Sequence, residues 1–289
     1  MTTADRTINW VPNPETQSVL KVLPEEITGF QSEVEKFRAG GWEEAEFMAF
    51  RLKQGVYGQR QPDAQMVRIK FPFGGINDKQ MDAVGEVVEK YAPLKKGHLT
   101  TRENIQIHHI LIQHTPDLMR IIGDVGLSTR EACGNTLRNV TGCPRAGVSV
   151  NEIFDISPYA AAYSRFFLRH ELSGIMPRKV KSAFSGCADD CAITSIHDVG
   201  VKAKIQDGVK GFEIVMGGGL SIFPKVAPTL YDFVPADDPK WLRIIEAALR
   251  IFNRSNQERA NRMKARIKFL IDRIGIDEYQ WCYMDRAQW

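Results

Sequence analysis

The stretch HLTTRENIQIHHILI, residues 98–112, has the β-branching of a strand. Read with a period of two, one face carries Thr100, Arg102, Asn104, Gln106 and His108. A sheet ordinarily hides one apolar face and wets the other. This face therefore meets either water or a large anionic ligand. A second cationic pair, Lys179 and Lys181 in PRKVKSAF, shares one face of a strand. Like charges so close cost energy unless an anion or water separates them. The alternatives are an anion site and a solvated strand edge guarded by lysine. GCADDC places Cys187 and Cys191 in a loop after that strand. Thiolates at this spacing can ligate zinc or an iron–sulfur cluster, with Cys143 of TGCPRAG as a third ligand. Cys133 is a candidate fourth, the number that suits a [4Fe-4S] cluster; buried inert cysteine is the alternative.

Other residues carry two readings each. His197 in SIHDVG is a metal ligand or a hydrogen-bonded structural histidine. MGGGLS, with Gly218 and Gly219, allows close approach of backbone to a flat cofactor, or makes a turn. It lacks the G-x-G-x-x-G spacing of a dinucleotide fold. Cys282 in YQWCYMD reads as structural, and the C-terminal arginines and lysines read as a wet helix face.

The elements that position these residues follow from periodicity. PEEITGFQSEVEKFRAGG and WEEAEFMAFRLKQG show helical spacing and end on glycine. GVYGQRQPDAQ reads as a polar connector. QMVRIKFPF is a strand and INDKQMDAVGEVVEKYA a helix capped by Asn77 or Asp78. The residue 98–112 strand follows. HTPDLMRIIGDVG is then a helix with Thr115 as cap and Pro116 at its first position. Strand, helix, strand, helix on a small sheet makes an α+β half-domain. EACGNTLRNVTGCPRAGV is loop-like, and SPYAAAYSRFFLRHEL is a helix. PRKVKSAFSG, HDVGVKAKI and GFEIVMGGGLS are strands. Residues 238–275 form a long amphipathic helix with a break near Asn253 to Asn256.

Composition sets bounds. The chain has 289 residues, 43% hydrophobic and 25% charged, which suits a globular protein of about two units. A net charge of +3 does not by itself indicate nucleic acid. No run of about 18 apolar residues reads as a membrane span. The first residues lack the pattern of a secretory signal, so the expected compartment is cytoplasmic. Five cysteines in a reducing compartment favour metal or redox chemistry over a disulfide frame.

Taken together, RLKQGVYGQRQPDAQMVRIKFPFGG, HLTTRENIQIHHI, RNVTGCPRAG, MPRKVKSAF and GFEIVMGGGLSI resemble the siroheme- and [4Fe-4S]-dependent nitrite/sulfite reductases. The motifs occur in that family's order, from about residue 45 to 275. The resemblance implies a helical lead-in over 1–55, a ferredoxin-like half-domain over 56–127, and a mixed α/β siroheme-binding domain over 128–289 with a long C-terminal helix. It implies six-electron reduction of nitrite to ammonia or of sulfite to sulfide, with electrons from ferredoxin or a similar donor. Siroheme carries eight carboxylates, so its pocket needs many pre-placed cations and donors. The resemblance assigns Arg60, Arg102, Gln106, His108, Gly218 and Gly219 to the cofactor. It assigns Arg102, Arg138, Lys179 and Lys181 to the substrate anion. Glu103 and His109 depart from the family pattern and are expected to point away from the Arg102 face or to lie near its end. Family members usually contain two homologous halves, and this sequence matches the first. The usual cluster cysteines lie in the second half. Cys143, Cys187 and Cys191 thus bind a cluster particular to this chain, or echo the second-half site without metal. Cys133 could also sit beside the macrocycle as a lone thiol. A second-half subunit or self-association is expected. The alternatives are a non-catalytic iron–sulfur electron-transfer or scaffold subunit, and an inactive truncated half.

Overall fold

The structure, a computed structural model, describes residues 20–284, with side chains described to residue 280. Cys282 therefore lies outside the described side chains, and residues 1–19 of the expected lead-in lie outside the described residues. The chain divides into two compact units at residues 134/135.

In the first unit, α1 (Pro24–Arg38) and α2 (Glu44–Lys53) precede β1 (Val56–Gly58) and β2 (Ala64–Lys70). Then come α3 (Asp78–Tyr91), β3 (Gly97–Leu99), β4 (Asn104–Leu111) and α4 (Thr115–Asp124). The sheet is antiparallel, in the order β1-β2-β4-β3. Its inward face, Val67, Ile69, Ile105, Ile107 and Ile110, packs with Phe30, Phe47, Val87 and Leu118 from the helices. Each such aliphatic buried contributes roughly 1.5–3 kcal/mol. The leading helices share this core with the sheet. The boundary between the two compact units falls at 134/135, with the leading helices inside the first.

Asn77, one of the two expected caps, closes α3 with a capping box. Its side chain accepts from Gln80 N at 2.9 Å, and its N–H donates to Gln80 Oε1 at 3.1 Å. Thr115 is not the cap of α4. It is the first helical residue, and its hydroxyl donates to Ile112 O at 2.6 Å.

Residues 98–112 do not form one strand. They form the β3–β4 hairpin, and GVYG contributes β1 rather than a connector. Thr100 accepts from Glu103 N at 2.9 Å, and Glu103 takes a left-handed φ of 52°. Arg102 therefore sits in the turn, off the strand face. A bulge then interrupts β4. Val67 pairs with Ile107 but Gln65 with Ile110, so β4 carries one extra residue there. His109 takes the strain, with φ 61°. The bulge keeps Ile105, Ile107 and Ile110 on one face, which strict alternation would not.

The second unit contains β5 (Leu137–Thr141), α5 (Ser157–Phe167), β6 (Val180–Ser185), β7 (Val199–Gln206), β8 (Val209–Met216) and β9 (Thr229–Pro235). After them come α6 (Lys240–Arg254), α7 (Gln257–Ala260), α8 (Ile267–Ile274) and α9 (Ile276–Met284). The mixed sheet runs β5-β6-β7-β8-β9, parallel from β5 to β7 and antiparallel beyond. Tyr159 of α5 and Trp241 of α6 meet Phe184 and Phe212 of the sheet edge-to-face or tilted, for instance 5.0 Å between Tyr159 and Phe212. β5 and β9 were not read from sequence, because β5 lies in a polar stretch and β9 follows a proline-bearing loop. The expected helix break appears at Ser255, and a further interruption at residues 261–266 makes α8 a separate helix. Among the described residues no helix is long and apolar enough to cross a membrane.

Candidate functional site

Two clusters lie in the second unit. β5 and β6 are adjacent and parallel, so their C-terminal ends emerge side by side. Cys143 follows the end of β5 and Cys187 the end of β6. Their sulfurs are 3.5 Å apart. The C-x3-C loop then turns back. Asp190 N donates to Cys187 O at 3.1 Å. The Asp190 carboxylate accepts from Thr194 N at 2.9 Å and from Thr194 Oγ1 at 3.0 Å. This returns Cys191, so that the ligand atoms of Cys143, Cys187 and Cys191 all lie within 4.8 Å of one another. Glu152 braces the facing loop by accepting from Gly147 N at 2.9 Å.

Burial pushes the Cys143 thiol up to about 12, against a lowering by the Arg145 backbone N–H. The Arg145 guanidinium donates to Cys191 Sγ at 2.8 Å and holds that thiol below its ordinary value. Three converging sulfurs are the donor set a soft metal centre takes, since coordination deprotonates a thiol outright. Sulfurs this close can hold one soft metal ion, and an iron–sulfur cluster would spread them further apart. Cys133 is buried, lies in the first unit, and is not among the converging thiols. His197 is not among them either; its Nδ1 lies 2.8 Å from Ile193 O.

The second cluster is cationic and sits at the opposite end of the same strands. Arg138 is near the start of β5, Lys179 immediately precedes β6, and Lys181 follows Val180. At about 3.3 Å per residue, Arg138 is at most roughly 16 Å from Cys143, and a bulge in β5 between Leu137 and Val140 shortens this. Burial first, then the charges of Arg138, Arg178, Lys181 and Arg266, lower Lys179 to about 8. Lys179 and Lys181 are therefore members of a group of five cations. The buried carboxylate of Asp198 accepts from Arg266 Nε and Nη2 at 2.7 and 2.6 Å.

The glycine turn adjoins this group. Gly217 has φ 92° and donates to Asp198 O at 2.9 Å. A Cβ on Gly218 would come 2.3 Å from Ser195 O and 2.7 Å from His197 O, so the protein's own backbone demands that glycine. Gly219 exchanges two main-chain bonds with Lys225. Lys268 is 2% exposed and donates to Leu220 O at 3.0 Å and to Phe223 O. The expected wet face of the C-terminal helices is thus partly a buried clamp.

In the first unit, the sheet face opposite the core aligns His98, Gln106 and Arg68 across three strands. The Gln106 amide, oriented with its oxygen toward Arg68, accepts from Arg68 Nε at 3.1 Å and Nη2 at 2.5 Å. Arg68 Nη1 donates to Ala132 O at 3.2 Å. The His98 and His108 rings meet at 4.9 Å. Burial, then His98, His109 and Arg68, lower the His108 pKa. Arg60 is exposed on the β1–β2 connector. The sequence reading missed Arg68, Arg145, Arg178, Asp198 and Arg266. Arg68, Arg145 and Arg178 lie inside the motifs given above, and Arg68 pairs across the sheet with Gln106. Nothing in the spacing linked Asp198 to Arg266.

Comparisons with known proteins bear on both units. The nitrite and sulphite reductase 4Fe-4S domain matches residues 133–289, and the nitrite/sulfite reductase ferredoxin-like half domain matches residues 57–125. A ferredoxin–nitrite reductase of Synechococcus elongatus is 30% identical over 265 residues, covering 86% of this chain and 50% of that protein. A ferredoxin sulfite reductase of Mycolicibacterium paratuberculosis is 34% identical over 216 residues, covering 74% of this chain and 38% of that protein. The structure of the Mycobacterium tuberculosis NirA protein superposes with a TM-score of 0.80 at 24% identity, over 96% of this chain and 56% of that one. The chain spans half or less of the length of these two sequence relatives.

Proposed function

The chain belongs to the nitrite and sulphite reductase family, and from that premise we propose that it takes part in the six-electron reduction of nitrite or sulfite. The observation that carries the reading is the five-cation group around Lys179, with Arg266 anchored on the Asp198 carboxylate. Partly buried cations gathered this closely repel one another, and a bound anion relieves that cost. A tetrapyrrole with eight carboxylates and a small oxyanion would both supply negative charge.

Siroheme and a [4Fe-4S] cluster are cofactors of this family, and when bound they supply the redox chemistry. In this chain Cys143, Cys187 and Cys191 would hold the cluster, and Arg138, Lys179 and Lys181 would hold anionic groups. Gly218 and Gly219 keep the adjoining turn close to the protein. In the first unit, Arg68, Gln106 and His108 present donors suited to a carboxylate, and Arg102 lies in the hairpin turn. Cleaving N–O or S–O bonds requires protons, because oxygen leaves poorly as a bare anion. Lys179, with its pKa lowered to about 8, can release a proton from Nζ near neutral pH. Arg138 and Lys181 hold the oxyanion's charge while that proton moves.

The thiols and the cations occupy opposite ends of β5 and β6, so within this unit they do not face one ligand together. We therefore propose that a second half, as a partner chain or a second copy, completes each site. Ferredoxin or a similar protein is the proposed electron donor. Free cysteines poised to take up iron suit a reducing, cytoplasmic compartment.

The test is protein made with a siroheme supply. Siroheme absorption bands with methyl-viologen-driven loss of nitrite or sulfite support the reductase. Arg138→Ala should lower turnover more than siroheme content. An iron–sulfur shoulder without siroheme bands would point instead to an electron-transfer subunit. A colourless protein would defeat both.

A further inference from the structure

Asp198 fastens three elements at once. Its side chain is fully buried. It accepts from the Lys181 main-chain N–H at 2.7 Å, from Arg266 Nε at 2.7 Å and from Arg266 Nη2 at 2.6 Å. Its own carbonyl accepts from Gly217 N at 2.9 Å. The start of β6, the glycine turn and the residue before α8 are thereby tied to one point.

Arg266 is the other half of this device. Its side chain is 17% exposed. Nη2 lies 3.7 Å from where a Cβ on Gly219 would stand. Its charge acts on both Lys179 and Arg178, which places it inside the cation group. A guanidinium has five N–H donors. Two bonds go to Asp198, and Nη1 makes no hydrogen bond among the described residues. A buried ion pair is weak ground for stability, since apolar side chains of equal volume serve a core as well or better. A planar fork gripping both carboxylate oxygens does fix orientation.

We propose that Arg266 is a further carboxylate-binding cation of the anion site and that Asp198 is its positioning residue. Asp198 holds the guanidinium plane, with Nη2 beside Gly219. It also holds the Lys181 main chain in register with them. This rests on reading the cation group as a polycarboxylate site.

The experiment titrates the full-length chain with uroporphyrin, a porphyrin bearing eight carboxylates, and follows fluorescence quenching. Wild type, Arg266→Lys and Asp198→Asn are compared, each at a temperature where near-ultraviolet circular dichroism shows it folded. Arg266→Lys keeps the charge but loses the fork, and about tenfold weaker binding is expected, the scale of one charge-assisted hydrogen bond. Asp198→Asn should weaken binding similarly. Wild-type protein that fails to bind uroporphyrin overturns the anion-site reading itself. Wild-type binding matched by Arg266→Lys overturns the Arg266 role alone. Folded Asp198→Asn with wild-type affinity overturns its positioning role, even if its unfolding midpoint has dropped.

Discussion

Replacing Lys179 by Met should make the ligand-free protein more stable while weakening its hold on anions. Met keeps the apolar stem and removes only the charge. In the fold, burial and four neighbouring cations lower Lys179 from 10.5 to about 8. Taken in full, that lowering corresponds to roughly 3 kcal/mol. The side chain is only partly buried, so screening reduces it to about 1–2 kcal/mol. The sign follows from proton binding. Between pH 8 and 10.5 the unfolded chain holds this proton and the folded chain has released it. Wild-type stability therefore rises with pH through that window. Below pH 8 the penalty is fully present, and above 10.5 it is gone. At pH 7, Lys179→Met should raise the unfolding midpoint by roughly 3–6 °C in a unit of this size. The gain should shrink toward zero by pH 10.5, and uroporphyrin affinity should fall throughout. Thermal melts by circular dichroism at pH 7, 9 and 10.5 measure it. A variant no more stable than wild type at pH 7, or a gain that does not change with pH, would refute the reasoning.

Cys187→Ser with Cys191→Ser should abolish iron retention after anaerobic reconstitution; iron-to-protein ratios matching wild type would remove those thiols from the metal site. Gly218→Ala forces a Cβ against the Ser195 and His197 carbonyls. It should cost about 1–3 kcal/mol and disturb the turn, read from chemical denaturation. Ile107→Ala, at a position with 0% exposure, should cost about 2–5 kcal/mol in the first unit. Tryptophan fluorescence from Trp42, which packs against Phe47 and Phe50, reports that loss.

The sequence by itself determined which residue types could do chemistry and most of the elements that carry them. Helical periodicity and caps such as Asn77 are local signals, so α1 to α5 were legible. The paired lysines and the C-x3-C loop were visible as chemistry because each lies within one short segment. Tertiary structure decided what these segments meet. Parallel pairing of β5 with β6 brought Cys143 to Cys187 from 44 residues away, and left Cys133 aside. One extra residue in β4 changed which side chains share a face, and a four-residue turn took Arg102 off the strand. Asp198 and Arg266 are 68 residues apart in sequence. No periodicity encodes their pairing. Packing alone made an arginine from the C-terminal helical region part of the cation group, because a buried carboxylate must be saturated with donors wherever the chain can supply them.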